Sequence, residues 1–194
     1  MKYYFLGTFC VFFTVIGVTA TARADLNPSI PTPPSIGVGS AKSSQIHDNR
    51  QSLLTSTSMM TSLELATYDL VNQYRQFKNL PPLQIDPTIS AQAKAHSEEM
   101  ARTSRMTHDG FNDRVKSVAQ TIVYRNAAEN VAYNMGYTQP DVMAVKGWIE
   151  SPGHRHNMIG QFDLTGIGVA KNARGEYYFT QIFIRKAWYV KDAD

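Results

Sequence analysis

The stretch Gly166-Ile167-Gly168-Val169-Ala170-Lys171-Asn172-Ala173-Arg174-Gly175-Glu176-Tyr177-Tyr178-Phe179-Thr180-Gln181-Ile182-Phe183-Ile184 decides the fold class of this 194-residue chain. Its two strand-like runs, 166–170 and 177–184, flank a polar Asn172-Ala173-Arg174-Gly175 turn, the pattern of an antiparallel hairpin. Upstream, the hydrophobic pattern becomes helical. Leu63, Ala66, Leu70, Val71, Tyr74 and Phe77 recur at helical spacing until Pro81-Pro82 stops the run. A second helix is expected from Asp86, which can cap it with Pro87 at the first helical position, to about Thr103, carrying Ile89, Ala93, His96 and Met100 on one stripe. A turn of helix is expected around Asp113 to Val118, and a short strand or strand-like loop over Ala128 to Tyr133. Pro140 and Asp141 open a third main helix, with Val142, Val145, Trp148 and Ile149 on its buried side and Ser151-Pro152-Gly153 as its stop. Helices first and a hairpin last is not the strict alternation of a parallel-sheet protein. The expected class is α+β, an antiparallel sheet covered by helices.

Outside that region the chain reads differently. A short positive start, an apolar run from Tyr3 to Val18 and Ala22-Arg23-Ala24 before Asp25 make residues 1–24 an expected signal peptide; an uncleaved anchor is the alternative. Residues 25–57, rich in Ser, Thr and Pro, bury too little apolar surface to offset their ordering entropy and are expected to be a disordered linker before a domain at 58–190. Gly37 to Ser43 lacks the glycine that a phosphate loop needs before its lysine. The one cysteine, Cys10, falls in the expected signal, so the mature chain would have no thiol chemistry and no disulfide. Removing Lys2 and Arg23 leaves 17 basic against 16 acidic side chains, which is no footprint for nucleic acid. A secreted monomer, periplasmic or extracellular, is the expectation.

The residues that could carry chemistry are His108, Glu129, Glu150, His154 and His156, because imidazole and carboxylate either ligate a divalent cation or move protons near neutral pH. His154 and His156 share a face only if their segment is extended. His96, on the apolar stripe, is expected to be a core histidine bonded to a carbonyl. Gly-x-Ser-x-Gly and His-Glu-x-x-His are both absent, which removes the commonest serine-hydrolase and metalloprotease signatures, and Ser151 before Pro152 reads as a turn or capping hydroxyl. Tyr133 and Tyr137 lie beside the polar cluster and could line a groove.

A series of motifs in order carries a resemblance. Leu70-Val71-Asn72-Gln73-Tyr74-Arg75, Ala95-His96-Ser97-Glu98-Glu99-Met100, Thr107-His108, Ala128-Glu129-Asn130-Val131-Ala132, Trp148-Ile149-Glu150-Ser151-Pro152-Gly153-His154-Arg155-His156-Asn157, Gly166-Ile167-Gly168-Val169 and Tyr178-Phe179-Thr180-Gln181 resemble the CAP superfamily of cysteine-rich secretory, antigen 5 and pathogenesis-related proteins, in its bacterial SCP-like branch. The resemblance implies a three-layer α-β-α sandwich with a central antiparallel sheet and a cavity where two histidines and two glutamates converge. On this sequence those are His108, Glu129 and His154, with Glu150 as the fourth candidate. It further implies a non-enzymatic binding module in which His108, Glu129 and His154 hold a divalent cation, zinc by preference, beside a surface for an extracytoplasmic lipid, glycan or protein. The alternatives are a metal-assisted hydrolase of peptide or cell-envelope substrates with Glu129 as general base, and a lipid or sterol carrier.

Overall fold

Helix α1 (Ser62–Phe77) begins at a reciprocal cap in which the Thr61 hydroxyl accepts the Glu64 N–H and the Glu64 carboxylate accepts the Thr61 N–H. The computed structural model describes residues 60–187; the expected signal peptide, linker and Cys10, and the outer limits of the expected domain at 58 and 190, lie outside them. After α1 come strand β1 (Gln84–Ile85), helix α2 (Pro87–Thr103) and helix α3 (Phe111–Val118). Strand β2 (Tyr124–Met135), helix α4 (Pro140–Glu150), helix α5 (Pro152–Met158) and strands β3 (Leu164–Lys171) and β4 (Glu176–Lys186) complete the chain. Asp86 caps α2 as the sequence suggests, its carboxylate accepting the N–H groups of Thr88 and Ile89.

The strands form one sheet in the order β1-β3-β4-β2. β2, β4 and β3 pair antiparallel, and β1 adds two residues parallel to β3, so the sheet is mixed at that edge. In the hairpin turn the Asn172 side-chain oxygen accepts the N–H groups of Arg174 and Glu176, and Gly175 takes the positive φ of 83°. Helix α2 covers one face, where Ile89 and Ala93 pack with Leu164, Ile182 and Ile184. Helices α1 and α4 cover the other, with Val71 and Trp148 against Ile167, Val169, Phe179 and Phe183. The result is an α-β-α sandwich.

Gly166 and Gly168 set the spacing of the α2 layer. A Cβ on Gly166 would lie 2.3 Å from the Ile89 carbonyl carbon and the Ser90 nitrogen, and one on Gly168 would lie 2.3 Å from the Ala93 carbonyl carbon and the Lys94 nitrogen. Helix and strand therefore meet backbone to backbone. Ser97, one turn further, puts its hydroxyl 2.9 Å from both the Gly168 carbonyl and the Thr180 hydroxyl.

Beyond the reach of β1, an ion pair covers the outer side of β3. Glu64 accepts the Val169 N–H at 3.0 Å, Lys94 donates to the Val169 carbonyl at 2.6 Å, and the two side chains lie 3.1 Å apart. Burial alone would raise the Glu64 pKa, but the Thr61 and Val169 N–H groups and Lys94 outweigh it and hold the carboxyl below its ordinary value. On the other side, buried Arg75 donates to the carbonyls of Pro81, Met158 and Gly160, tying α1 to the end of α5.

Two boundaries differ from expectation. β2 is twelve residues long, because its polar start, Tyr124-Arg125-Asn126, pairs with the end of β4. Ser151-Pro152-Gly153 does end α4, but Pro152 also opens α5, since a proline costs nothing at a first helical turn.

Candidate functional site

The site forms at the β2 margin of the sheet, where the loop after α2 and helix α5 both meet the strand. Ser104, at positive φ, stops α2 and turns the chain outward. His96, 6% exposed, then donates from Nε2 to the Thr107 carbonyl at 2.7 Å. It is the core histidine the sequence suggests, and its partner is the residue just before His108, so it also holds the site loop in place. Burial lowers its pKa; the Glu129 charge acts in the opposite sense.

Glu129 projects from β2 with its side chain only 1% exposed. Arg114, from α3, grips both of its oxygens: Nε lies 2.9 Å from Oε2, and Nη2 lies 2.8 Å from Oε1 and 2.7 Å from Oε2. Arg114 Nη1 donates to the Asp109 carbonyl, which fixes the far side of the His108 loop. His108 Nδ1 donates to Glu129 Oε1 at 2.9 Å while about half of the ring stays open to solvent. In the neutral ring that bond selects the Nδ1–H tautomer, with Nε2 as the acceptor nitrogen.

His154 arrives on α5, which Asn130 and Asn157 staple to β2. Asn130 donates to the His154 carbonyl, and Asn157 donates to the Glu129 carbonyl and to the Asn130 side-chain oxygen. Arg155 donates to the Ile149 carbonyl across the α4–α5 junction. Burial lowers the His154 pKa, with a smaller lowering contribution from the His108 ring. His156 is exposed; two positions along a helix it points away from His154.

Of the expected residues, His108 and Glu129 are joined by a direct hydrogen bond, His154 stands on α5 where Asn130 ties its carbonyl to β2, and Glu150 lies apart. Glu150 is exposed on α4, 3.9 Å from Lys146 of the same helix. Tyr133 follows Glu129 on the same face of β2, about 13 Å along the strand, and its ring lies 5.2 Å from that of Tyr178. Tyr137 is exposed in the loop after β2. A cavity of about 430 Å³ lies alongside the cluster, lined by Gln92, His96, Met100, Arg105, Thr107 and Arg114.

The side chains fit a divalent cation in a narrower way than the sequence suggests. Among the described residues no three His, Cys, Asp or Glu side chains are placed to hold one together. Both oxygens of Glu129 are taken by Arg114 and His108, so Glu129 stands behind His108 as its orienting partner instead of beside it as a ligand. The same clamp removes Glu129 as a general base. Two imidazoles, one backed by a carboxylate, remain as donors, a recurrent arrangement behind zinc. Arg114 is the member of the cluster that the sequence did not disclose, fifteen residues from its partner with no local pattern linking the two.

A sequence model of the cysteine-rich secretory protein family (CAP) matches residues 68–183. An uncharacterized Bacillus subtilis protein, YkwD, is 36% identical over 134 residues; the match covers 66% of this chain and 49% of that protein, so the chain spans about half of its relative. The crystal structure of a Bacillus anthracis extracellular protein containing an SCP domain superposes with a TM-score of 0.55 at 32% identity, over 64% of this chain and 40% of that one. An outer surface protein from Borrelia burgdorferi shares the fold, with a TM-score of 0.54 at 22% identity over 62% of this chain and 90% of that one.

Proposed function

The chain belongs to the cysteine-rich secretory protein (CAP) family, and from that premise we propose that it is a non-enzymatic extracytoplasmic binding module that takes a divalent cation, zinc by preference, on His108 and His154. The observation that carries the reading is the His108–Glu129–Arg114 chain of hydrogen bonds, which fixes one imidazole against a buried carboxylate; burial biases the second imidazole, His154, toward its neutral, donor form. When bound, the cation supplies positive charge and open coordination positions to which an oxygen or nitrogen of a partner can add. The protein's share is orientation: His96 and Arg114 hold the His108 loop from its two sides, and Asn130 and Asn157 hold α5. An extracytoplasmic setting is supported by the Bacillus anthracis and Borrelia relatives, which are extracellular and outer-surface proteins.

The test is a calorimetric zinc titration of the full chain beside His108→Ala and His154→Ala. The expected result is saturable one-to-one binding that weakens by about tenfold or more in each variant. Binding indifferent to both substitutions would overturn the reading. The His108–Glu129 pair also favours a second reading, a hydrolase in which His108 Nε2 takes a proton from water. Turnover on a peptide or peptidoglycan panel that disappears in His108→Ala but persists without metal would favour it over the first.

A further inference from the structure

The cavity of about 430 Å³ between α2 and the loop that leads to His108 is lined by none of His108, Glu129 and His154. Its size is that of a small-molecule site, roughly 300–1,000 Å³. His96 lines it from α2. The ring is 6% exposed and its Nε2–H is spent on the Thr107 carbonyl at 2.7 Å, so in the neutral ring Nδ1 is an acceptor. Nδ1 has no partner among the described residues, yet it is not one of their sealed unpaired atoms, which are Ser90 Oγ, Asn134 Oδ1 and Gln181 Oε1. It therefore keeps access from outside, and the cavity is where the ring opens. An acceptor left unmet there costs free energy that the N–H or O–H of a ligand would recover.

The charged residues around the cavity are already matched. Arg102 holds Glu99 at 2.6 Å, Arg105 and Asp109 lie 3.3 Å apart, and Arg114 holds Glu129 at 2.7 Å. No uncompensated charge is left among the lining residues to draw an ion, so the ligand the cavity suits is neutral. Ala95 and Met100 give it an apolar lining. A thioether makes favourable contacts with aromatic rings, and the exposed, planar guanidinium of Arg105 can stack on one. We propose that this cavity binds a phenol, a neutral aromatic ring whose single hydroxyl donates to His96 Nδ1. A small free phenol and the tyrosine side chain of a partner polypeptide share that chemistry. The site stands apart from the cation reading and does not depend on it.

The experiment titrates p-cresol, its methyl ether p-methylanisole and N-acetyl-tyrosinamide into the full chain and into Ala95→Trp and Thr103→Trp. Nuclear magnetic resonance of the His96 ring reports binding, and circular dichroism reports the fold of each variant. Both tryptophans would fill the cavity from exposed positions of α2. The expected results are saturable shifts of the His96 ring with p-cresol, binding weaker by about fivefold or more for the ether, which lacks the donor, and loss of binding in either folded tryptophan variant. N-acetyl-tyrosinamide that binds at least as tightly as p-cresol identifies a polypeptide side chain as the source, and its exclusion identifies a small free phenol; either result supports the proposal. p-Cresol that leaves the ring signals unmoved, that binds no better than its ether, or that binds folded Ala95→Trp unchanged would overturn it. If neither tryptophan variant folds, the comparison of p-cresol with its ether on the wild type decides.

Discussion

Along β3 and along β2 the same layer meets the sheet in opposite ways. At Gly166 and Gly168 the α2 backbone rests on the strand with no room for a single added carbon. At Glu129 the layer is held off the strand by side chains, the guanidinium of Arg114 and the imidazole of His108, and half of that imidazole is left to solvent. The first contact is apolar, dry and fixed by shape. The second is polar and fixed by hydrogen bonds that exchange with protons and ions. Rigidity in the middle of the sheet lets the margin keep exchangeable groups in constant geometry without relying on their own strength.

The sharpest way to break this comparison is to put a side chain into the dry contact. Gly168→Val is expected to abolish folding or to cost more than about 4 kcal/mol in chemical denaturation, because the blocking atoms are backbone and cannot rotate away. A cost below about 1 kcal/mol would show that α2 can lift from the sheet freely.

The polar margin should be the part that responds to pH. His96 and His154 both have folded pKa values below the ordinary 6.5, so the unfolded chain binds protons first as pH falls. The stability these groups contribute is complete above about pH 6.5 and is lost as the pH drops through their folded values, with a slope of at most about 1.4 kcal/mol per pH unit for each group. Urea midpoints at pH 7.5 and 5 should differ, and His96→Gln should reduce the difference. A pH-independent midpoint would remove the margin as the source of acid sensitivity.

The smallest effect concerns where the margin ends. Glu150→Gln is expected to stay within about 0.5 kcal/mol of wild type and to leave zinc affinity unchanged, since its carboxylate is exposed beside Lys146. A loss of affinity would bring Glu150 back into the site.

What could be read in the sequence follows the same division. The α2 start was legible because Asp86 and Pro87 act within one turn, and the hairpin because its turn chemistry is local. His96 was legible as core from its stripe. His108, Glu129 and His154 stood out by residue type together with Glu150 and His156, and only the family resemblance, not their spacing, suggested that they converge. Arg114 left no trace, since a salt bridge across fifteen residues has no period. Pro152 was misleading because the same residue serves as a stop for one helix and a start for the next, and only the following turn distinguishes them.

The ion pair of Glu64 and Lys94 at Val169 bears on how copies of this domain can associate. An uncovered strand invites another chain, and unlimited stacking needs two such strands, one on each side of a sheet. Here one side ends in a two-residue strand and a lysine and a glutamate that already use the Val169 backbone groups. On the other side, Asn157 and Trp148 use the carbonyls of Glu129 and Val131, leaving the two ends of that strand, at Arg125–Asn126 and near Tyr133 and Met135, as its exposed parts. A sheet with one receptive side can at most pair with the same side of a second copy. Crowded copies of this domain would stop at twos where a sheet open on both sides would grow into filaments.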